Sequence, residues 1–210
     1  MKRMAADRPP RLVVFAGPNG SGKSTMAEEI RRIDRSFPSL PVNADDIARE
    51  RHMDPYEAAI EAEKRRNEAL ERKESFVVET VLSIPAKIDF LKKAKAFGYI
   101  ITLIFVTTQD PLINIGRVAE RVRMGGHSVP REKTLNRYKR SMKLLPQALD
   151  VADTAVVYDN SFDQAVRIAK KTIENEVVIY PQQSPGRWST ERIRKLLGVK
   201  TAVLQNQNSK

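Results

Sequence analysis

The chain has 210 residues, 41% of them hydrophobic and 30% charged, with a net charge of +11 and no cysteine. That length supports one full α/β core. The lack of cysteine excludes disulfides and thiolate metal sites and fits a reducing cytoplasm. The charge excess points to a polyanionic partner, whether nucleic acid, an anionic membrane surface or a phosphorylated small molecule.

In chain order, residues 1–9 read as a loose, basic tail with no apolar core behind it, so no signal peptide is expected. Residues 12–16 are an apolar run, read as a buried strand. Gly17-Pro18-Asn19-Gly20-Ser21-Gly22-Lys23-Ser24-Thr25 then fits G-x-x-x-x-G-K-[ST], and a helix runs on to about residue 33. The strand–loop–helix context is what makes this motif a phosphate-binding loop. Its glycines let backbone N–H groups turn inward toward phosphate oxygens, and the helix start adds its positive end. Lys23 reaches the β- and γ-phosphates of ATP, and the Ser24 hydroxyl ligates Mg²⁺. The alternative is a glycine-rich turn that binds nothing.

Residues 40–42 are a brief second strand with Asn43, Asp45 and Asp46 at its carboxyl end, where open α/β sheets gather their chemistry. Asp54-Pro55-Tyr56-Glu57 starts a polar helix to about residue 73. Residues 75–80 form a third strand ending in Glu79 and Thr80. Ser83 and Pro85 open a helix that Gly98 stops. Residues 99–106 are apolar throughout, a central strand and far too short to span a membrane.

Asp110-Pro111 opens a helix carrying Arg117, Arg121 and Arg123. Gly125-Gly126-His127-Ser128 breaks it, and a second basic helix starts near Pro130. Between Arg117 and Lys143 there are nine Lys or Arg against two acids, with Tyr138 the only aromatic residue. That is a poor single-strand stacking platform, so nucleic acid is not the expected partner. It is a good clamp for several phosphates, or else a solvated face. Two basic helices on a Gly-Gly hinge describe a closing lid, about residues 111–146. Residues 154–158 are a fifth strand, and 165–172 with 176–180 read as a terminal hairpin. Trp188 and a helix over 189–197 pack on the sheet, and 199–210 is a polar tail. The expected fold is a P-loop NTPase α/β domain over 10–198: a five-stranded parallel sheet, helices on both faces, an arginine-rich lid and a possible C-terminal hairpin.

Phosphoryl transfer from MgATP needs a base for the acceptor, a holder for the metal and positive charge on the moving phosphoryl group. Asp45 is the chosen base, on the reading that the second strand lies beside the phosphate-loop strand. Asp46 is its competitor, with helix capping as its plain role. Glu79 either joins Ser24 at Mg²⁺ or pairs with a lid arginine. Thr80 contacts a substrate hydroxyl or caps the next turn. Arg121 and Arg131 flank the Gly-Gly break and suit the transferred phosphate, with Arg117 one turn before Arg121 in reserve. His127 is a loop hydrogen-bonder or a substrate contact. A kinase for another hydroxyl, such as an antibiotic or a nucleic-acid end, and an ATP-hydrolysing nucleic-acid binder are the rival functions.

The ordered set of the phosphate loop after Ala16, Asn43-Ala44-Asp45, Glu79-Thr80 and Arg121-Val122-Arg123-Met124-Gly125-Gly126-His127-Ser128-Val129-Pro130 resembles the zeta-toxin-like P-loop kinases over about residues 11–160. The Gly-Gly-His-Ser-Val-Pro segment is similar to a chromosomal branch of that family rather than to its plasmid toxins. The resemblance implies a cytoplasmic kinase that uses ATP and Mg²⁺ to phosphorylate the sugar 3′-hydroxyl of UDP-N-acetylglucosamine, opposed by a separate antitoxin protein. It also implies roles: Lys23 as the phosphate-loop lysine, Asp45 as the base, Asn43, Glu79 and Thr80 at the substrate, and Arg121 and Arg131 on the transferred phosphate.

Overall fold

The computed structural model describes residues 8–126, 128–181 and 188–205. Its elements follow the apolar runs: β1 (Arg11–Ala16), α1 (Lys23–Ile33), β2 (Leu40–Val42), α2 (Ala44–Arg51), α3 (Pro55–Glu71), β3 (Phe76–Thr80), α4 (Ala86–Ala96), β4 (Ile100–Thr107), α5 (Pro111–Arg123), α6 (Arg131–Val151), β5 (Thr154–Asp159), β6 (Val166–Lys171), β7 (Val177–Ile179), α7 (Thr190–Leu197) and β8 (Val203–Leu204). They build one sheet in the order β2-β3-β1-β4-β5-β6-β7-β8. The first five strands are parallel. The expected hairpin, β6–β7, extends them antiparallel, and β8 then pairs parallel to β7.

Two expectations change. The stretch read as a C-terminal tail contributes β8, because Val203 and Leu204 pair with Val178 and Ile179 and complete the sheet edge. The second strand does not lie beside the phosphate-loop strand: β3 does, with β2 outside it. The parallel register repairs the consequence. Phe15 pairs with Glu79, and Val42 with Val78, so the chain leaves β2 one residue later at the level of Glu79.

Alternation along the buried strands splits the core between the two faces. Leu12, Val14, Phe76, Val78, Leu103 and Phe105 pack under α3, α4, α6 and α7. Val13, Phe15, Val77, Ile104 and Val106 pack under Met26 and Ala27 of α1. The α7 helix rests on α6, and Trp188, fully buried, leads into it.

Tyr99, at the entry to β4, ties this core to the turn between α3 and β3. Its hydroxyl donates to the carbonyls of Ala69 and Glu74 at 2.7 and 2.8 Å, and its ring meets Phe76 edge-on at 5.7 Å. Burial pushes its pKa up to about 12. The unfolded chain therefore ionises first, and this stabilisation holds below about pH 10 and is lost as pH rises toward 12. Tyr99→Phe, which leaves both carbonyls without this donor, is expected to cost about 1–3 kcal/mol at neutral pH. Denaturant melts between pH 8 and 11 should also show a shallower alkaline loss in the variant than in the parent.

Candidate active site

Gly17 follows β1 with φ 138°, and a Cβ there would stand 2.0 Å from the Val106 carbonyl oxygen of β4. Only glycine fits this close approach, and it lets the loop curl over the carboxyl ends of β1 and β4, where ligands of open α/β sheets lie. Gly22 caps α1 in the left-handed region, and Lys23 and Ser24 open the helix. Asn19, Gly20, Gly22, Lys23, Ser24 and Thr25 line a cleft of about 1030 Å³. Pro18 and Ser21 shape the turn instead: the Ser21 N–H donates to the Pro18 carbonyl at 3.3 Å.

Two asparagines brace the loop from outside. Asn114, buried on α5, donates through Nδ2 to the Asn19 carbonyl at 2.7 Å and accepts from the Thr108 hydroxyl. Asn160, just past β5, donates to the Ser21 carbonyl at 2.8 Å, while Arg117 donates to the Asn160 carbonyl at 2.7 Å. Sequence reasoning missed both asparagines. The signals were an amide between isoleucines at 113–115 and an amide at a strand's carboxyl end.

Lys23 is buried, donates to the Pro18 carbonyl at 3.0 Å and stands 3.9 Å from Glu79. Burial pushes its ammonium below the ordinary value. The carboxylates of Glu79 and Asp45 oppose that, and the guanidiniums of Arg121 and Arg137 reinforce it. A buried ammonium that shares two carboxylates with two guanidiniums gains from a bound phosphate. The Ser24 hydroxyl donates to Glu79 Oε1 at 2.8 Å. This hydroxyl–carboxylate pair fits Mg²⁺, which takes one or two protein oxygens and fills its remaining positions with phosphate and water.

Asn43 is the N-cap of α2: its side chain accepts from the Asp45 N–H at 3.1 Å. Capping therefore belongs to Asn43, not to Asp46, which pairs with Arg49 at 2.6 Å. Asn43, Asp45, Glu79 and Thr80 all line the cleft. The Thr80 hydroxyl accepts from the Leu82 N–H at 3.2 Å, which is the turn-capping alternative.

The basic helices bring Arg117, Arg121, Lys133, Arg137 and Arg140 to the cleft. Arg131 is exposed at the start of α6 and does not line it. Arg137 stands in its place and donates to Asn19 Oδ1 at 3.2 Å. Helix periodicity explains the change. Thr134, Tyr138 and Ser141 turn inward to the core, so the cleft-facing positions fall at Lys133, Arg137 and Arg140. The same burial ties both basic helices to the core. From Tyr138 onward one face of α6, with Ser141, Leu145, Ala148 and Leu149, is buried in the core, and α5 buries Asn114 and Val118. Gly125 and Gly126 cap α5 through N–H bonds to Val122 and Arg121. A Cβ on Gly126 would come within 2.6 Å of Arg121 Cγ. The expected substrate contact His127 lies outside the described residues.

The chain is 28% identical over 133 residues to an uncharacterized protein of Haemophilus influenzae, covering 61% of this chain and 92% of that one. Among solved structures it is similar to the AvrRxo1-ORF1:AvrRxo1-ORF2 complex with sulphate ions (TM-score 0.67, 15% identity, 93% of this chain and 66% of that one). The same complex with ATP has a TM-score of 0.59 at 15% identity, over 96% and 67% of the two chains. The PezAT chromosomal toxin–antitoxin system of Streptococcus pneumoniae has a TM-score of 0.57 at 16% identity, over 91% and 88%. At such identities these structures show a shared fold, and the chain spans just under two thirds of the AvrRxo1 chain in the sulphate-containing crystal. The family model described as Zeta toxin matches residues 1–184, most of the sequence. The chain belongs to the zeta toxin family of P-loop kinases.

Proposed function

We propose that this kinase transfers the γ-phosphate of MgATP to a hydroxyl of a UDP-activated amino sugar such as UDP-N-acetylglucosamine, and that a separate antitoxin restrains it. The observation that carries the reading is the convergence of Asp45 and Glu79 with Lys23, Ser24, Arg121 and Arg137 on one cleft. Such a set has a base for the acceptor and cations for the charge that spreads over the phosphoryl oxygens.

In this mechanism the phosphate loop and Lys23 hold the β- and γ-phosphates. Ser24 and Glu79 are the groups that would hold Mg²⁺, which when bound neutralises phosphate charge. The Asp45 carboxylate takes the acceptor's hydroxyl proton as the new O–P bond forms. The bond from the γ-phosphorus to its bridging oxygen breaks, and ADP leaves. Arg121 and Arg137 grip the transferred group and stay charged throughout. The antitoxin rests on family membership and on the toxin–antitoxin system to which the pneumococcal relative belongs.

The test is mass spectrometry of the protein incubated with MgATP and UDP-N-acetylglucosamine. The expected product is the nucleotide sugar one phosphate heavier. ADP release without that product would overturn the nucleotide sugar as acceptor and turn the search to other hydroxyl compounds.

A further inference from the structure

Arg121 and Arg137 must stand together over the phosphate loop, yet they belong to two different helices. One buried residue ties both helices down. Thr108 follows the end of β4, just past the Val106 carbonyl on which Gly17 packs, and is fully buried. Its hydroxyl donates to Oδ1 of Asn114, in the first turn of α5, and lies 3.0 Å from the carbonyl of Asp110, the N-cap of that helix. Its own carbonyl accepts from the Tyr138 hydroxyl of α6 at 2.6 Å. Thr108 therefore grips α5 with its side chain and α6 with its backbone.

Both grips lead on to the phosphate loop. The Asn114 amide donates to the Asn19 carbonyl at 2.7 Å, and a Cβ on Gly20 would stand 2.5 Å from the Asn114 carbonyl oxygen, so α5 lies directly on the loop. Arg121 is two turns further along the same face of α5. Tyr138 adjoins Arg137, which donates to Asn19 Oδ1 at 3.2 Å. Asn19 is thus held by α5 at its backbone and by α6 at its side chain. Thr108, Asn114 and Tyr138 are all buried and do not line the cleft. Burial holds the Tyr138 phenol above its ordinary pKa, so it keeps its proton and its role as donor. Buried polar groups satisfied by one another favour a single arrangement, because any shift of either helix leaves a donor or an acceptor unpaired.

We propose that Thr108, with Asn114 and Tyr138, is a positioning unit for phosphoryl transfer, which fixes α5 and α6 against the phosphate loop and so sets Arg121 and Arg137 at the transferred group. None of the three touches the reacting atoms. The unit rests on the kinase reading above and is independent of which acceptor that kinase uses.

Two mild substitutions cut the two grips separately. Thr108→Val removes the hydroxyl and keeps the shape and the carbonyl. Tyr138→Phe removes the donor and keeps the ring. Each protein, checked by thermal melting, is titrated with Mg²⁺ and a non-hydrolysable ATP analogue, and with MgADP and tetrafluoroaluminate, which imitates the phosphoryl group in flight and needs no acceptor. Both variants are expected to bind the ATP analogue within about threefold of the parent and the fluoroaluminate complex about tenfold more weakly, the scale of a small misplacement at a reacting group. In the double variants Thr108→Val with Arg121→Gln, and Tyr138→Phe with Arg137→Gln, fluoroaluminate affinity is expected within about twofold of the arginine variant alone, because coupled residues do not add. Losses that multiply in either double variant overturn the unit, since threonine or tyrosine would then act independently of its arginine. Equal losses for the two ligands also overturn it, since that is the mark of a role in holding the fold alone. If UDP-N-acetylglucosamine is not phosphorylated while these couplings hold, the nucleotide sugar is wrong and the positioning unit stands.

Discussion

The Asp45→Asn protein is expected to bind ATP analogues as the parent does and to transfer phosphate about 10²–10⁴-fold more slowly, the usual worth of a positioned base. The substitution keeps the side chain's size and removes its basicity. It also leaves the backbone in place, because the Asp45 contact that starts α2 is made by its N–H to Asn43, not by its carboxylate. Among the described residues that carboxylate makes no hydrogen bond or ion pair, so it is available to an incoming hydroxyl. Its neighbour is occupied: Asp46 holds Arg49, and Asp46→Asn is expected to keep transfer within about threefold of the parent, as substitutions of exposed ion pairs do. Binding of a fluorescent ATP analogue, read beside product formation, separates the two steps. An active Asp45 variant with an inactive Asp46 variant would move the base by one residue.

Why one acid of the pair faces the cleft was only partly legible in the sequence. Strand–loop–helix punctuation gave the phosphate loop, because Gly17 and Lys23 act through local backbone and short reach. Asp54-Pro55 and Asp110-Pro111 marked two helix starts for the same local reason, and both aspartates accept the expected N–H bonds. Strand adjacency is not local. The second strand was expected beside the phosphate-loop strand, yet β3 takes that place. A three-residue strand with an exposed start suits the parallel sheet's edge, whereas Phe76, Val77 and Val78 are buried on both faces. Asp45 reaches the site all the same, since register rather than adjacency carries it there. The braces Asn114 and Asn160 were illegible for a related reason: each acts across the fold, 95 and 139 residues from its partner. The Val203–Leu204 strand likewise exists only because β7 offers an open edge.

The lid arginines give the sharpest contrast between sequence proximity and position. Arg137→Gln is expected to lower turnover by about 10³-fold or more, the scale of an arginine acting on a transferred phosphoryl group. Arg131→Gln is expected to behave as the parent. The sequence favours Arg131 because it stands beside the Gly-Gly break, but the first turn of α6 points it to solvent. Arg137 lines the cleft, reaches Asn19 and is felt by the Lys23 ammonium, as is Arg121. Because Arg137 also touches the loop, its loss has two readings, and Arg137→Lys separates them. Lysine keeps the charge and gives up the two-pronged grip on phosphate. If charge on the phosphoryl group is what matters, Arg137→Lys recovers part of the turnover while the ATP KM stays near the parent's. If Arg137 serves only to hold Asn19, ATP analogue affinity falls in step with turnover in both variants. Steady-state turnover and ATP KM for the three proteins decide it. An impaired Arg131 variant beside an active Arg137 variant would mean that the start of α6 moves onto the nucleotide during the reaction and carries Arg131 with it.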